Sequence, residues 1–135
     1  MKTRVFWQLA AVLIWLSTAA DTSSIKAEPF SLKPLNTSTK TISHLVDGVA
    51  TVTMIYQPDC FWCKKQGKQL ATAYEQCKDK LNVTLVGTQG KARALKKELK
   101  HYHQEIPAFM ADRQFLRSIG GYQASPTTLI YNGQG

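Results

Sequence analysis

Two cysteines three positions apart, Cys60 and Cys63, separate an apolar run at 49–56 from a lysine-rich segment. The run is rich in β-branched residues and apolar at most positions, which predicts a strand buried on both faces of a sheet. The segment at 60–78 carries apolar residues at helical spacing and predicts a helix. Cys60 would then stand at the helix N-terminus, where unpaired N–H groups and the helix dipole stabilise a thiolate. Cys63, one turn later on the same face, is close enough to form a disulfide with it.

Strands and helices alternate after the cysteine pair, which predicts an α/β fold with parallel βαβ units. The predicted elements are, in chain order, a strand at 82–87, a helix at 91–103, a short edge strand at 106–110 broken by Pro107, a helix at 113–119 capped by Asp112, and a strand at 127–131. Asn132-Gly133 is a strong hairpin signal, yet no return strand follows it. We therefore expect the last strand to be an unpaired edge and the domain to be C-terminally incomplete, lacking a strand and a helix.

The N-terminal residues predict export. Lys2 and Arg4 precede an apolar stretch at 5–16, and small residues at 17–20 suggest cleavage after Ala20 or Ala19. Residues 1–20 are thus predicted to be a signal peptide; an uncleaved membrane anchor is the alternative, although the stretch is short for spanning. We expect a periplasmic location, where disulfides persist. Residues 21–41, with their Ser, Thr, Lys and Pro, predict a linker or N-terminal extension, and residues 42–135 the domain itself.

Composition narrows the possible partners. The 135 residues carry a formal net charge of +8, an excess that favours acidic or anionic surfaces. No arginine-rich stripe interleaved with aromatic residues is present, so nucleic-acid binding is not expected. A zinc site would need two ligands besides Cys60 and Cys63, and Cys77 and the three histidines offer neither a second C-x-x-C nor an H-x₃₋₅-H pattern. A purely structural disulfide is the remaining alternative to a redox pair.

Two motifs together resemble the thioredoxin fold. Cys60-Phe61-Trp62-Cys63 follows a buried strand, and Ala124-Ser125-Pro126-Thr127-Thr128 opens a later one, like the C-x-x-C helix start and the cis-proline loop of that fold. The stretches at 83–88 and 106–112 are similar to the TlpA-like branch of exported, often membrane-tethered thiol–disulfide oxidoreductases. The resemblance implies a thioredoxin-like α/β fold with a central mixed sheet.

The resemblance also implies roles for individual residues. Cys60 would be the exposed nucleophile and Cys63 the resolving thiol, while Pro126 would be cis, with Ser125 offering backbone groups to a substrate peptide. Phe61 and Trp62 would be an exposed apolar contact for protein substrates, with packing against neighbouring loops as the alternative. No metal or other cofactor is expected.

Some positions depart from the family pattern. Met54 stands where thioredoxins carry a buried acid, and Trp62 stands where relatives carry Pro or, in strong oxidants, His. We therefore predict an exported thiol–disulfide oxidoreductase that exchanges disulfides with protein substrates, as a reductase or isomerase more than an oxidase, with a membrane electron donor. The alternative is a non-catalytic thioredoxin-fold binding or assembly protein of the cell envelope with a structural disulfide.

Overall fold

The computed structural model of the chain describes residues 31–38, 43–121 and 124–134. The predicted signal peptide, and residues 21–30 and 39–41 of the predicted linker, lie outside these ranges. The elements, in chain order, are β1 (Lys33–Pro34), β2 (Thr51–Tyr56), α1 (Phe61–Cys77), β3 (Asn82–Gly87), α2 (Ala92–Glu98), a 3-10 turn (Leu99–His101), β4 (Ala108–Met110), α3 (Arg113–Ser118) and β5 (Thr127–Tyr131). Within the described ranges, no helix combines the length and apolarity needed to cross a membrane.

The described strands form one mixed sheet in the order β1-β4-β3-β2-β5. β2, β3 and β4 run parallel, whereas β1 and β5 are antiparallel to their neighbours. This confirms the predicted α/β, thioredoxin-like arrangement around a central mixed sheet. β5 is an edge strand, as expected, and its Ile130 side chain is 78% exposed. The opposite edge is formed by β1, so the prediction that β4 is an edge strand was wrong.

The segment 31–38, part of the region predicted to be a linker or N-terminal extension, contributes a strand to the sheet. Lys33 pairs with Met110 of β4, and the flanking Leu32 and Leu35 are buried. The Leu35 N–H also donates to the Ala108 carbonyl at 2.8 Å. This segment is therefore integral to the sheet, because Leu32 and Leu35, one on each side of the two-residue strand, bury apolar surface against β4.

Apolar side chains cover both faces of the central strands. On one face, Met54 and Leu85 pack with α1, α2 and the 3-10 turn. On the other, Ile55 and Val86 pack with Phe115 of α3. The alternation along β2 and β3 is that of strands buried on both sides, which confirms the prediction from the run at 49–56.

The helix ends agree closely with the sequence signals, except in the second helix. Asp112 caps α3 by accepting the Phe115 N–H at 2.7 Å, and Gly120 follows with a φ of 81°. The predicted second helix at 91–103 is shorter: α2 ends at Glu98 and tightens into the 3-10 turn. That tightening ends the helical backbone at Tyr102, whose ring then packs against α1.

Candidate active site

Cys60 stands at the N-terminus of α1, as the sequence predicts. The chain leaves β2 at Tyr56 and turns at Asp59, which has a φ of 57°. Cys60 is extended, and its Sγ accepts the Cys63 backbone N–H at 3.1 Å. The side chain thus satisfies one of the N–H groups that a helix start leaves without an intrahelical partner. The same N–H and the helix dipole would stabilise negative charge on this sulfur.

Cys60 and Cys63 form a disulfide, with their Cα atoms 5.2 Å apart. Cys63 is fully buried, and Cys60 is 7% exposed. Cys60 is therefore less exposed than the resemblance implied, because β2 and α1 enclose both cysteines in the larger core cluster. Of the two residues, only Cys60 keeps any exposure, so an incoming group would meet Cys60 before Cys63.

Phe61 and Trp62 project from the first turn of α1 into solvent. Their side chains are 69% and 61% exposed, and their rings meet edge-to-face with centroids 5.4 Å apart. The Lys65 ammonium lies 5.1 Å from the centre of the Trp62 ring, a cation–π distance. Of the two alternatives for this pair, the exposure favours an apolar contact surface over packing against loops.

The loop before β5 lies beside this helix start. The Ser125–Pro126 peptide bond is cis. The amide of Gln66 hydrogen-bonds the hydroxyl of Thr128, which ties α1 to β5 just after this loop. A shallow groove of about 360 Å³ separates the two elements, lined by Trp62, Lys65, Gln66, Gln69 and Pro126. The structure thus brings the predicted residues Trp62 and Pro126 to one groove.

A second groove, which no sequence signal predicts, flanks the helix start next to Phe61. It measures about 340 Å³ and is lined by Phe61, Lys64, Lys65, Lys68 and His101. The carboxylate of Glu98 is buried and lies 3.8 Å from the ammonium of Lys64, one of the residues that line this groove. Glu98 occupies the same helix face as Leu95, and this spacing is the one signal in the sequence that could have revealed its burial.

Two tyrosines pack between α1 and the sheet. Tyr56 and Tyr102 pack with ring centroids 5.1 Å apart, and the Tyr56 hydroxyl donates to the Leu95 carbonyl at 3.1 Å. Burial, with a smaller contribution from the negative charge of Glu98, raises the pKa of both phenols well above the usual value. Both rings therefore stay neutral at physiological pH and act as packing groups against α1 and the central sheet.

Cys77 is a free, half-buried thiol at the far end of α1. It follows Cys63 by fourteen residues, which corresponds to about 21 Å along a helix. At that distance the Cys77 thiol cannot form a disulfide with Cys60 or Cys63 of the same molecule.

A cluster of Glu75, His103 and Glu105 lies near the same end, with possible ligand atoms within 4.8 Å of one another. Nε2 of His103 is 2.7 Å from Glu75, while Nδ1 accepts the Glu105 N–H at 3.2 Å. A metal-bound imidazole normally donates from its second nitrogen. Here that nitrogen accepts, so the geometry is that of a hydrogen-bonded network.

Comparisons with known proteins identify the fold of the chain that carries this site. No family model and no curated protein matches the chain. Among solved structures, a thioredoxin domain of a thiol-disulfide oxidoreductase from Bacteroides vulgatus is 18% identical, with a TM-score of 0.59 and 66% of each chain covered. A secreted disulfide oxidoreductase from Mycobacterium tuberculosis, described as homologous to E. coli DsbE, is 15% identical, with a TM-score of 0.63 over 79% of this chain and 78% of the other.

StoA from Bacillus subtilis is 19% identical to the chain, with a TM-score of 0.64 over 80% of this chain and 82% of the other. At such identities the likeness concerns the fold. The C-x-x-C at the start of α1 and the proline loop before β5 are the two motifs through which the sequence resembles the same fold. The chain therefore has the thioredoxin-like fold that these thiol–disulfide oxidoreductases share.

Proposed function

We propose that this chain is an exported thiol–disulfide oxidoreductase that exchanges disulfides with protein substrates through Cys60 and Cys63. One observation carries the proposal: the Cys60 sulfur accepts the Cys63 N–H at the start of α1, while bonded to Cys63 itself. A structural disulfide has no need of this position. A nucleophilic sulfur does, because the helix N-terminus stabilises the thiolate that reacts.

The reaction follows from the two sulfurs. In the reduced protein, the Cys60 thiolate attacks a substrate disulfide, a mixed disulfide forms, and one substrate thiolate leaves. The Cys63 thiolate then attacks the Cys60 sulfur, releases the second substrate thiolate and restores the Cys60–Cys63 disulfide. Two electrons pass from the protein to the substrate, and the released thiolates take up protons from water. Ser125 and Pro126 would contact the substrate backbone beside the sulfur, and Phe61 and Trp62 its apolar side chains.

The direction we propose is reduction or isomerisation. Trp62 precedes Cys63 at the position where strong oxidants carry His, and an indole cannot supply the positive charge that would favour the reduced thiolate form. Such a role requires reducing equivalents, which outside the cytoplasm a membrane electron donor would provide. The proposed location is the periplasm, in line with the predicted signal at 1–20.

One observation favours a second candidate, a non-catalytic binding or assembly protein of the cell envelope. Cys60 is only 7% exposed, which suits a structural disulfide. In that case Phe61 and Trp62 would remain a contact surface, and the sulfurs would take no part in exchange.

Two measurements separate the candidates. Equilibration of the full chain in glutathione buffers, followed by thiol alkylation, gives the reduction potential of the pair. A potential well below about −300 mV would favour the structural disulfide, whereas a higher one fits a redox pair. Replacing Cys63→Ala in a Cys77→Ala background should trap mixed disulfides on Cys60 in cells. The matched control is Cys60→Ala in the same background, which should trap none; equal yields from the two variants would refute the enzyme proposal.

A further inference from the structure

Lysines are concentrated around the start of α1. Five of them, hereafter the lysine rim, come from α1 and from the segment that packs beside it: Lys64, Lys65, Lys68, Lys97 and Lys100. All are exposed except Lys64, which is half-buried. They line the groove below Phe61 and a smaller one of about 260 Å³ next to Pro58. The rim therefore borders the residues on either side of Cys60 in the chain, Asp59 and Phe61.

The negative charge at this surface is small. Only Asp59 and Glu98 are acidic among the residues that line these two grooves and the groove at Pro126. Glu98 is buried, and Lys64 lies 3.8 Å from it. Asp59 alone remains exposed against four exposed lysines. A cleft lined by one sign of charge raises the local concentration and the association rate of ligands of the opposite sign.

We propose that the lysine rim selects polypeptides that carry aspartate or glutamate beside the cysteine undergoing exchange. The inference rests on the proposed function and specifies its substrate class. An apolar residue of the partner would pack on Phe61 and Trp62, whose exposed rings offer the contact area. The neighbouring carboxylates would pair with Lys65, Lys68 and Lys100.

A polypeptide fits this surface better than an anionic membrane does. The exposed rings and the rim flank Cys60, the one residue of the pair that retains any exposure. A bilayer seated on the rings would cover Cys60 and prevent exchange. A chain segment can lie along the two grooves that flank the helix start and still present its disulfide to Cys60.

The test compares three synthetic peptides that share one intramolecular disulfide and differ only in its flanks, which are glutamate, glutamine or lysine. The reduced full chain is mixed with each peptide, and the rate of single-turnover transfer is measured. The two electrons come from the Cys60 and Cys63 thiols, and the peptide disulfide receives them. We expect the glutamate peptide to react about tenfold faster than the glutamine peptide at low salt, with little difference left near about 0.5 M salt.

Matched charge-reversal variants test whether the lysine rim causes the preference for the glutamate peptide. Lys68→Glu combined with Lys100→Glu changes the rim, whereas Lys80→Glu combined with Arg117→Glu makes the same change in net charge elsewhere. Lys80 follows the far end of α1, and Arg117 lies on α3 at the opposite sheet face. The rim variant should lose the preference for the glutamate peptide, and the control variant should keep it.

Three results would overturn the inference while leaving the proposed function intact: equal rates for all peptides, an equal loss of preference in both variants, or rim-dependent binding to phosphatidylglycerol vesicles that blocks peptide reduction. Failure to reduce any of the peptides, with Cys60→Ala indistinguishable from the parent chain, would instead refute the proposed function itself.

Discussion

Gly67 allows α1 to pack directly on Tyr102, and replacing it with alanine tests this packing. A Cβ at position 67 would lie 2.7 Å from Cε1 of the Tyr102 ring and closer still to Cδ1. The ring cannot withdraw easily, because Tyr102 is only 6% exposed and packs against Tyr56. Ordinary carbon–carbon contacts lie near about 3.5–4.0 Å, so the ring or the helix must shift by about 1 Å.

Two opposing effects decide the sign of this change. Alanine is favoured over glycine in a helix interior by about 1 kcal/mol. Overpacking of a core costs about 1–3 kcal/mol, and a conflict with two ring atoms at position 67 belongs at the upper end. We therefore expect Gly67→Ala to lower the free energy of unfolding by about 2 kcal/mol.

Urea unfolding followed by tryptophan fluorescence measures this difference. Gln69→Ala, an exposed change on the same helix, is the control and should stay within about 0.5 kcal/mol of the parent. In a Tyr102→Leu background the ring is absent, so Gly67→Ala should become neutral or stabilising. An unchanged or increased stability of Gly67→Ala in the parent chain would refute the packing argument.

Three further predictions concern stability. Burial lowers the pKa of His44 from 6.5 to about 4, so between these values the unfolded chain binds a proton that the folded chain excludes. The free energy of unfolding should therefore fall by about 3 kcal/mol as the pH drops from above 6.5 towards 4. Urea unfolding across this pH range should show a smaller loss for His44→Leu. Asp112→Ala removes the cap of α3 and should cost about 0.5–2 kcal/mol, measured by the same unfolding, with a neutral result counting against the cap. Lys64→Met leaves the carboxylate of Glu98 buried without its ion-pair partner and should lower the free energy of unfolding by about 1–3 kcal/mol. The double variant Lys64→Met/Glu98→Gln should recover part of that free energy. No recovery would show that the two side chains are not coupled.

The part of the fold that the sequence predicts is the part with local signals. The buried run before Cys60 and the helical spacing after it suffice to place the cysteine at the start of α1. Asp112 likewise marks its own helix, because a capping side chain acts within one turn. These predictions needed no knowledge of distant contacts.

The features that were missed arise from contacts between distant residues. β1 has two residues, one of them Pro34, and no periodicity; only its pairing with β4 makes it a strand. Lys64 and Glu98 are 34 positions apart, so no spacing rule links them. His103, in the loop after the 3-10 turn, meets Glu75 of α1, which lies 28 positions earlier, so this contact is equally invisible to a spacing rule. The rim of the candidate site is likewise assembled from two separate segments, and the sequence alone showed only an excess of lysine.

The position of β2 has a consequence for how the molecule is built during synthesis. One neighbour, β3, follows within the same βαβ unit, but the other, β5, pairs Tyr131 with Thr51, 80 residues earlier. Contacts this distant in sequence form slowly and only after both partners have left the ribosome. The two cysteines and their helix can therefore assemble while the strand that positions Pro126 is still missing, so the groove between Trp62 and Pro126 is the last part of the site to be completed.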